Sequence, residues 1–254
     1  MDERITLDDD HWLRVRETPW DTRAFGFSTA EILDVRYRDP QILDALVGAY
    51  LKAAREACVR FSYCRIDASD FPLRRALQAH GFYYAETAML IANANVRAEA
   101  FGRAFRNDMS LSTPETDADF DEIRGLARDA FRYSRFHEDP NIPRQSAERR
   151  YFNWIDDLRL QEKEFLVYKA GGAIHAFVVF LVEGATATVI LAGSQADKGF
   201  LSPFFWSSFL TGFQRRGIRR VEGIVSAANL GVLNLAVKLG FHVEWVRLGF
   251  HRCE

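Results

Sequence analysis

The chain has 254 residues, 48% of them hydrophobic, enough for a sizeable core in one large domain or two small ones and too apolar for disorder. Its 33 basic and 35 acidic residues are spread along the sequence and leave a net charge of -2, which argues against a polyanion-binding face and so against nucleic acid as a partner. Three cysteines without metal-ligand spacing, no apolar run of about 20 residues, and the acidic opening "MDERITLDDDHW" lead to the expectation of a cytosolic protein with no disulfide framework, metal site, secretory leader or membrane span.

In "PWDTRAFGF", Trp20, Phe25 and Phe27 are expected in a core, with Asp21 and Arg23 free to face a cleft between domains. Ile42, Leu43, Leu46, Tyr50, Ala53, Ala54 and Ala57 recur at helical spacing, and "SYCRI" after them alternates like a strand. Asp70 and Pro72 open a second helix that Gly81 closes, and "FYYAETAMLIA" follows as a strand. The small and polar stretch at residues 93 to 108 then reads as a linker, so domains are expected at 1–105 and 106–254.

Beyond it, Phe120, Ile123, Leu126, Ala127, Ala130 and Phe131 share one helical face, with Thr116 and Asp119 as a cap. Ser146 is the expected cap of the next helix, whose buried stripe is Tyr151, Trp154, Ile155 and Leu158. Three strands follow, "EFLVYK", "AIHAFVVFLV" and "ATATVILAG", joined by turns at Gly171-Gly172 and Glu183-Gly184. The last part runs helix, strand, helix and strand, with Trp206, Phe209 and Phe213 as a core stripe and Gly240 as the final helix stop. Gly240-Phe241 repeats Gly81-Phe82 between a helix and a strand, so the chain contains two related halves.

The order of residues 108 to 254, with "NLGVLNLAVKLGF" at 229 to 241, resembles the GNAT superfamily of acyl-CoA-dependent N-acyltransferases. "PWDTRAFGF" and "YSRFHEDPNIPRQSAERRYFNWI" are similar to the two-domain group typified by TDP-fucosamine (TDP-4-amino-4,6-dideoxygalactose) N-acetyltransferase. The resemblance implies a mixed α/β (α+β) GNAT fold with a central, mostly antiparallel sheet, preceded by a truncated GNAT-like domain. It also implies acetyl-CoA as co-substrate and a small-molecule acceptor, an amino sugar on a nucleotide, held between the domains. A homodimer is left open.

Each step of such a transfer can be sought in the residues. A loop feeding a helix N-terminus suits a pyrophosphate, and "QADKGFLS" before Pro203 supplies Lys198, Gly199, Phe200, Leu201 and the cap candidate Ser202. By the resemblance, Leu191 or Ala192 donates a backbone N–H to the thioester oxygen, beside Gly193, and Asn229 starts the last helix near the cofactor. The densest polar cluster offers Tyr133, Arg135, His137 and Asp139 to the acceptor, with His137 as base and Arg135 as a fork for phosphate or carboxylate. A surface pairing of Arg135 with Glu138 or Asp139 is the alternative. His175 and His242 are expected to be structural, and His11, His80 and His251 to lie on the surface.

The Tyr with which the family protonates the departing thiolate falls here on Ala236. A thiol with a pKa of about 8.5 leaves tolerably as thiolate near neutral pH. Two other readings therefore stay open: a non-catalytic GNAT-like binding module, and an N-acyltransferase using a small amine or a longer acyl donor.

Overall fold

A computed structural model describes residues 2–96, 109–195, 199 and 202–254; the expected linker and the boundary at 105 lie outside the described residues. The chain divides into two compact units. The first is Met1–Ala88 with Ser134–Arg150 and Val246–Glu254, and the second is Met89–Tyr133 with Tyr151–Trp245.

In the first unit, β1 (Asp2–Thr6), β2 (Trp12–Glu17) and β3 (Thr29–Arg36) form an antiparallel meander, with the short helix α1 (Pro19–Phe25) between the last two. A 3-10 turn, Pro40–Ile42, leads into α2 (Leu43–Glu56), then β4 (Phe61–Asp67) parallel to β3, α3 (Phe71–Ala79) and β5 (Tyr83–Asn93), of which residues 83 to 88 belong here. Residues 246 to 253 of β11 (His242–Cys253) run antiparallel to β4. The sheet order is β1-β2-β3-β4-β11-β5.

No strand before residue 61 is predicted from the sequence, so the meander is a finding. Leu13 and Ile32 reach the core, but Arg14, Arg16, Glu31 and Asp34 alternate with the apolar side chains, which lowers the mean apolarity a strand pattern depends on. Leu43, Leu46, Val47 and Tyr50 of α2 and Leu73 and Leu77 of α3 pack on Ala30, Ile32, Cys64, Ile66 and Phe250. Burial pushes the Cys64 thiol up to about 12, so it is an inert core group; Cys58 and Cys253 are exposed.

The second unit holds β6 (Leu111–Ser112), α4 (Asp117–Ala130), the part of α5 (Arg144–Leu160) from Tyr151 on, β7 (Glu164–Ala170), β8 (Ala173–Glu183), β9 (Thr186–Ser194), α6 (Ser202–Arg215), β10 (Arg220–Ser226) and α7 (Leu230–Lys238). Its sheet order is β5-β10-β9-β8-β7-β6. The capping box of α4 is formed as expected: Thr116 Oγ1 accepts from the Asp119 amide at 3.2 Å, and Asp119 Oδ2 from the Thr116 amide at 3.2 Å. The cap expected at Ser146 is not formed, because α5 starts two residues earlier at Arg144, behind Pro143, and the Ser146 amide donates to the Pro143 carbonyl at 2.8 Å. Gly171 and Gly172, at φ 60° and 84°, make the tight β7–β8 turn.

The two faces of this meander are both buried, one under α6 and one under α4 and α5. On α6 the buried stripe is Phe205, Phe209 and Phe213, while Trp206, expected in it, is only partly buried. Both units have mixed, mostly antiparallel sheets, and both close the helix before the last strand in the same way. Asp70 caps α3 by accepting from the Leu73 amide at 3.0 Å, Asn229 caps α7 by accepting from the Val232 amide at 3.2 Å, and Gly81 and Gly240 take φ 81° and 79°. No described helix is long and apolar enough to cross a membrane.

Candidate active site

In the second unit the site begins where two strands part. Parallel pairing of β9 with β10 runs from Thr186↔Arg220 to Val189↔Gly223. On the other side of β9, pairing with β8 shifts between Phe180↔Val189 and Val179↔Leu191, which leaves Ile190 as an extra, bulged residue. From there β9 follows β8 as far as Ser194↔Ala176, and among the described residues nothing pairs residues 190 to 194 with residues 224 to 226. Backbone groups on that side of β9 therefore have no strand partner, in the stretch that contains Leu191, Ala192 and Gly193.

Side chains hold the parting in place. Gly223 stands at the last pair, where an added Cβ would lie 3.3 Å from both the Cβ and the carbonyl oxygen of Val189. Gly193 sits opposite Phe177, and a Cβ there would come within 2.8 Å of its ring. Leu191 is buried against the α4 and α5 side and Ala192 packs on the α6 side, so their side chains are used in packing while the amides stay in the sheet plane. On the departing strand, Ile224 is 50% exposed, an apolar side chain beside the gap.

The segment between β9 and α6 is described only in part: Lys198, Phe200 and Leu201 lie outside the described residues. Gly199 is exposed, and no described residue lies within 4 Å of an added Cβ. Ser202 and Pro203 are the first two residues of α6. Asn229 uses its side-chain oxygen to cap α7, and Ala236 is buried with only a methyl group at that position.

The first unit repeats the parting. Pairing of β3 with β4 runs from Thr29↔Phe61 to Ile32↔Cys64, and Leu33 is bulged against β2. Its helix entry differs. The Asp39 carboxylate accepts from the Gln41 amide at 2.9 Å, which adds negative charge and engages an amide at the place where a phosphate would need them.

Of the polar cluster expected to meet an acceptor, Tyr133 is in the second unit and half exposed, and Arg135, His137 and Asp139 are in the first. His137 is half-buried, 2.8 Å from Ser134 Oγ through Nδ1, and burial lowers its pKa more than Glu148 raises it. Asp139 is buried, and its carboxylate accepts from the Asn141 amide at 2.8 Å, from Tyr83 Oη at 2.8 Å and faces His251 Nδ1 at 2.7 Å. Burial pushes its pKa up, but the bonds to His251, Asn141 and Tyr83 outweigh that and hold it below the usual carboxylate range.

His251 was expected on the surface and is instead fully buried, ringed by Phe61, Tyr63, Tyr83 and Phe136. The missed signal is alternation along β11, where Leu248 and Phe250 face one way and Gly249 and His251 the other. His175 is structural as expected, with Nδ1 2.7 Å from Gln195 Oε1 and Nε2 3.1 Å from the Ala170 carbonyl. His242, expected to be structural too, has a side chain 57% exposed and lies 3.5 Å from Glu244.

No family model matches the sequence, and no curated protein matches it significantly. Solved structures do share its fold. A GCN5-related N-acetyltransferase from Sphaerobacter thermophilus is 14% identical with a TM-score of 0.61, over 96% of this chain and 76% of that one. A tandem GNAT protein from the clavulanic acid biosynthesis pathway is 14% identical with a TM-score of 0.62, over 96% and 78%. A GCN5-related N-acetyltransferase from Kribbella flavida is 12% identical with a TM-score of 0.59, over 99% and 89%. At these identities the likeness establishes a GNAT fold.

Proposed function

We propose that the chain is an acyl-CoA-dependent N-acyltransferase whose second unit binds the cofactor. The observation that carries this reading is the parting of β9 and β10 after Val189↔Gly223, beside the bulge at Ile190. Such a gap offers unpaired backbone donors to a thioester oxygen and an apolar wall at Ile224 to the cofactor's arm. Beyond it, Gly199, Ser202 and the start of α6 suit a pyrophosphate, with Lys198, Phe200 and Leu201 assigned to the same loop. Asn229 is left its side-chain N–H group for the cofactor. The Asp39 carboxylate argues against a second pyrophosphate site in the first unit.

In the reaction, a neutral amine attacks the thioester carbon, a C–N bond forms, and the negative charge that develops on oxygen meets the amide of Leu191 or Ala192. The C–S bond then breaks and the attacking nitrogen loses a proton. That proton goes by way of water to the departing thiolate; to His137, whose pKa burial lowers, we assign the proton that the substrate ammonium gives up before attack. The thiolate leaves without a protein acid at position 236 and takes its proton from water. We further propose acetyl-CoA as donor and the amine of a nucleotide-linked amino sugar as acceptor, which the resemblance to the TDP-fucosamine N-acetyltransferase group supports.

The buried methyl of Ala236 favours one other reading, a GNAT-like module that binds without turnover. Calorimetry with acetyl-CoA, followed by thiol release on a panel of TDP- and UDP-amino sugars and simple amines, separates the two. Binding with release supports the enzyme, binding without release on any amine supports the module, and no binding at millimolar acetyl-CoA overturns the enzyme reading.

A further inference from the structure

Alternation sends Leu13, Ile32, Cys64 and Phe250 of the first unit to the core under α2 and α3. The opposite face carries Arg16, Glu31, Tyr63 and His251 in register across four strands. A row of this kind, buried at Tyr63 and His251 and partly buried at Arg16 and Glu31, is costly unless each charged group is paired, and nearly all are. Arg16 Nη2 donates to Glu31 Oε2 at 2.6 Å, and Tyr63 Oη to Asp21 Oδ2 at 2.6 Å. Asp21 also pairs with Arg150, Arg65 pairs with Glu86 at 2.7 Å, and His251 is matched by Asp139.

Among the described residues, Arg135 has an ion pair but no hydrogen bond. Its guanidinium lies 4.2 Å from the centroid of the Tyr63 ring and 4.7 Å from that of Phe136, while its Nη1 stands 3.6 Å from Glu31 Oε1, too far for a hydrogen bond. It does not pair with Glu138 or Asp139, as a surface arginine here would. Among the described residues nothing accepts a hydrogen bond from it, although Nη1 is closed off from solvent and only 15% of the side chain is exposed. Arg16 Nε, on the other side of Glu31, is buried and unmatched as well. One carboxylate thus serves two guanidinium groups. Burial disfavours the charge on Arg135, but Tyr63, Glu31, Asp21 and Glu86 favour it more, so it stays a cation.

A planar fork with five donors, held flat by two rings, one of them anchored through Asp21, has lost its rotamer freedom before any ligand arrives. We propose that Arg135 is the oxyanion receptor for the acceptor, taking a phosphate or carboxylate of the amine substrate through its unmatched donors. That the anion belongs to an amine rests on the acyltransferase reading; that Arg135 receives an anion does not. The diphosphate of a nucleotide sugar and the carboxylate of an amino acid both belong to this class.

The test uses the full chain. Inorganic phosphate and succinate are titrated calorimetrically into the wild type, Arg135→Gln, Arg135→Lys and Glu31→Gln, with melting curves to show that each variant is folded. The wild type is expected to bind at least one anion. Arg135→Lys should weaken that binding about tenfold and Arg135→Gln should abolish it. Glu31→Gln, which frees both guanidinium groups, should tighten it. A wild type that binds neither anion, Arg135 variants that bind like the wild type, or unchanged affinity in Glu31→Gln overturns the proposal.

In turnover assays, Arg135→Gln should raise KM about tenfold for an amine carrying phosphate or carboxylate and not for its neutral counterpart, with acetyl-CoA affinity unchanged. An equal change for both amines also overturns it. Loss of acetyl-CoA binding in the wild type would instead remove the acyltransferase reading and leave the anion result standing, and whether phosphate or succinate binds better tells which acceptor to seek.

Discussion

Val189 and Gly223 are the last residues joined across β9 and β10, and they meet so closely that a side chain on Gly223 would press on the Val189 carbonyl. Glycine therefore sets where the gap opens. Gly223→Val is expected to force the strands apart one pair earlier, costing about 1–3 kcal/mol of stability and weakening acetyl-CoA binding about tenfold. Denaturant melts and calorimetry on the same samples check this, and full affinity in a destabilised variant would separate the gap from cofactor binding.

Among the described residues nothing crowds Gly199, so a larger residue there meets none of them. Gly199→Glu should leave the melting temperature within about 1–2 °C of the wild type, as surface changes usually do. It should weaken acetyl-CoA at least tenfold by setting a carboxylate against the pyrophosphate. Unchanged affinity would move the cradle elsewhere.

His137 is assigned the proton that the substrate ammonium gives up before attack. Because burial lowers its pKa, more of the imidazole is free base at pH 6.5 than in an exposed histidine, while an alkyl ammonium there is almost fully protonated. His137→Ala should therefore reduce kcat/KM about 10²-fold at pH 6.5 and much less at pH 8.5, where more of the amine is neutral on its own. A deficit that does not change with pH would identify the residue as structural.

His251 ties stability to pH. Burial holds its imidazole below the ordinary value despite Asp139, so the folded chain resists protonation that the unfolded chain accepts. Its contribution is complete above about pH 6.5 and falls as pH drops from there toward the lowered folded value; His137 acts in the same direction. Chemical denaturation between pH 7.5 and 5 should show a stability loss that is smaller in His251→Gln. Asp139→Ala at pH 7 should cost about 2–3 kcal/mol by leaving the His251 ring and the Tyr83 hydroxyl without their acceptor. A His251→Gln protein with the wild-type pH slope would show that the slope arises elsewhere.

Local patterns in the chain were enough for α2 to α7, the glycine turns, the β7–β9 meander and the matching helix ends at Gly81 and Gly240. These depend on near neighbours: the helical stripe of α4, the Thr116–Asp119 cap, and positive φ at Gly81 and Gly240. Long-range pairing was not readable. The bulge at Ile190 and the parting at Gly223 are properties of register between strands far apart in sequence, and backbone amides leave no mark in side-chain order. The β1–β3 meander stayed hidden because its second face is ionic. Arg135 and His251 show the same limit. The sequence left one open between an anion fork and a surface pair and placed the other on the surface, until packing against Tyr63 took both from water and burial altered what their charges cost.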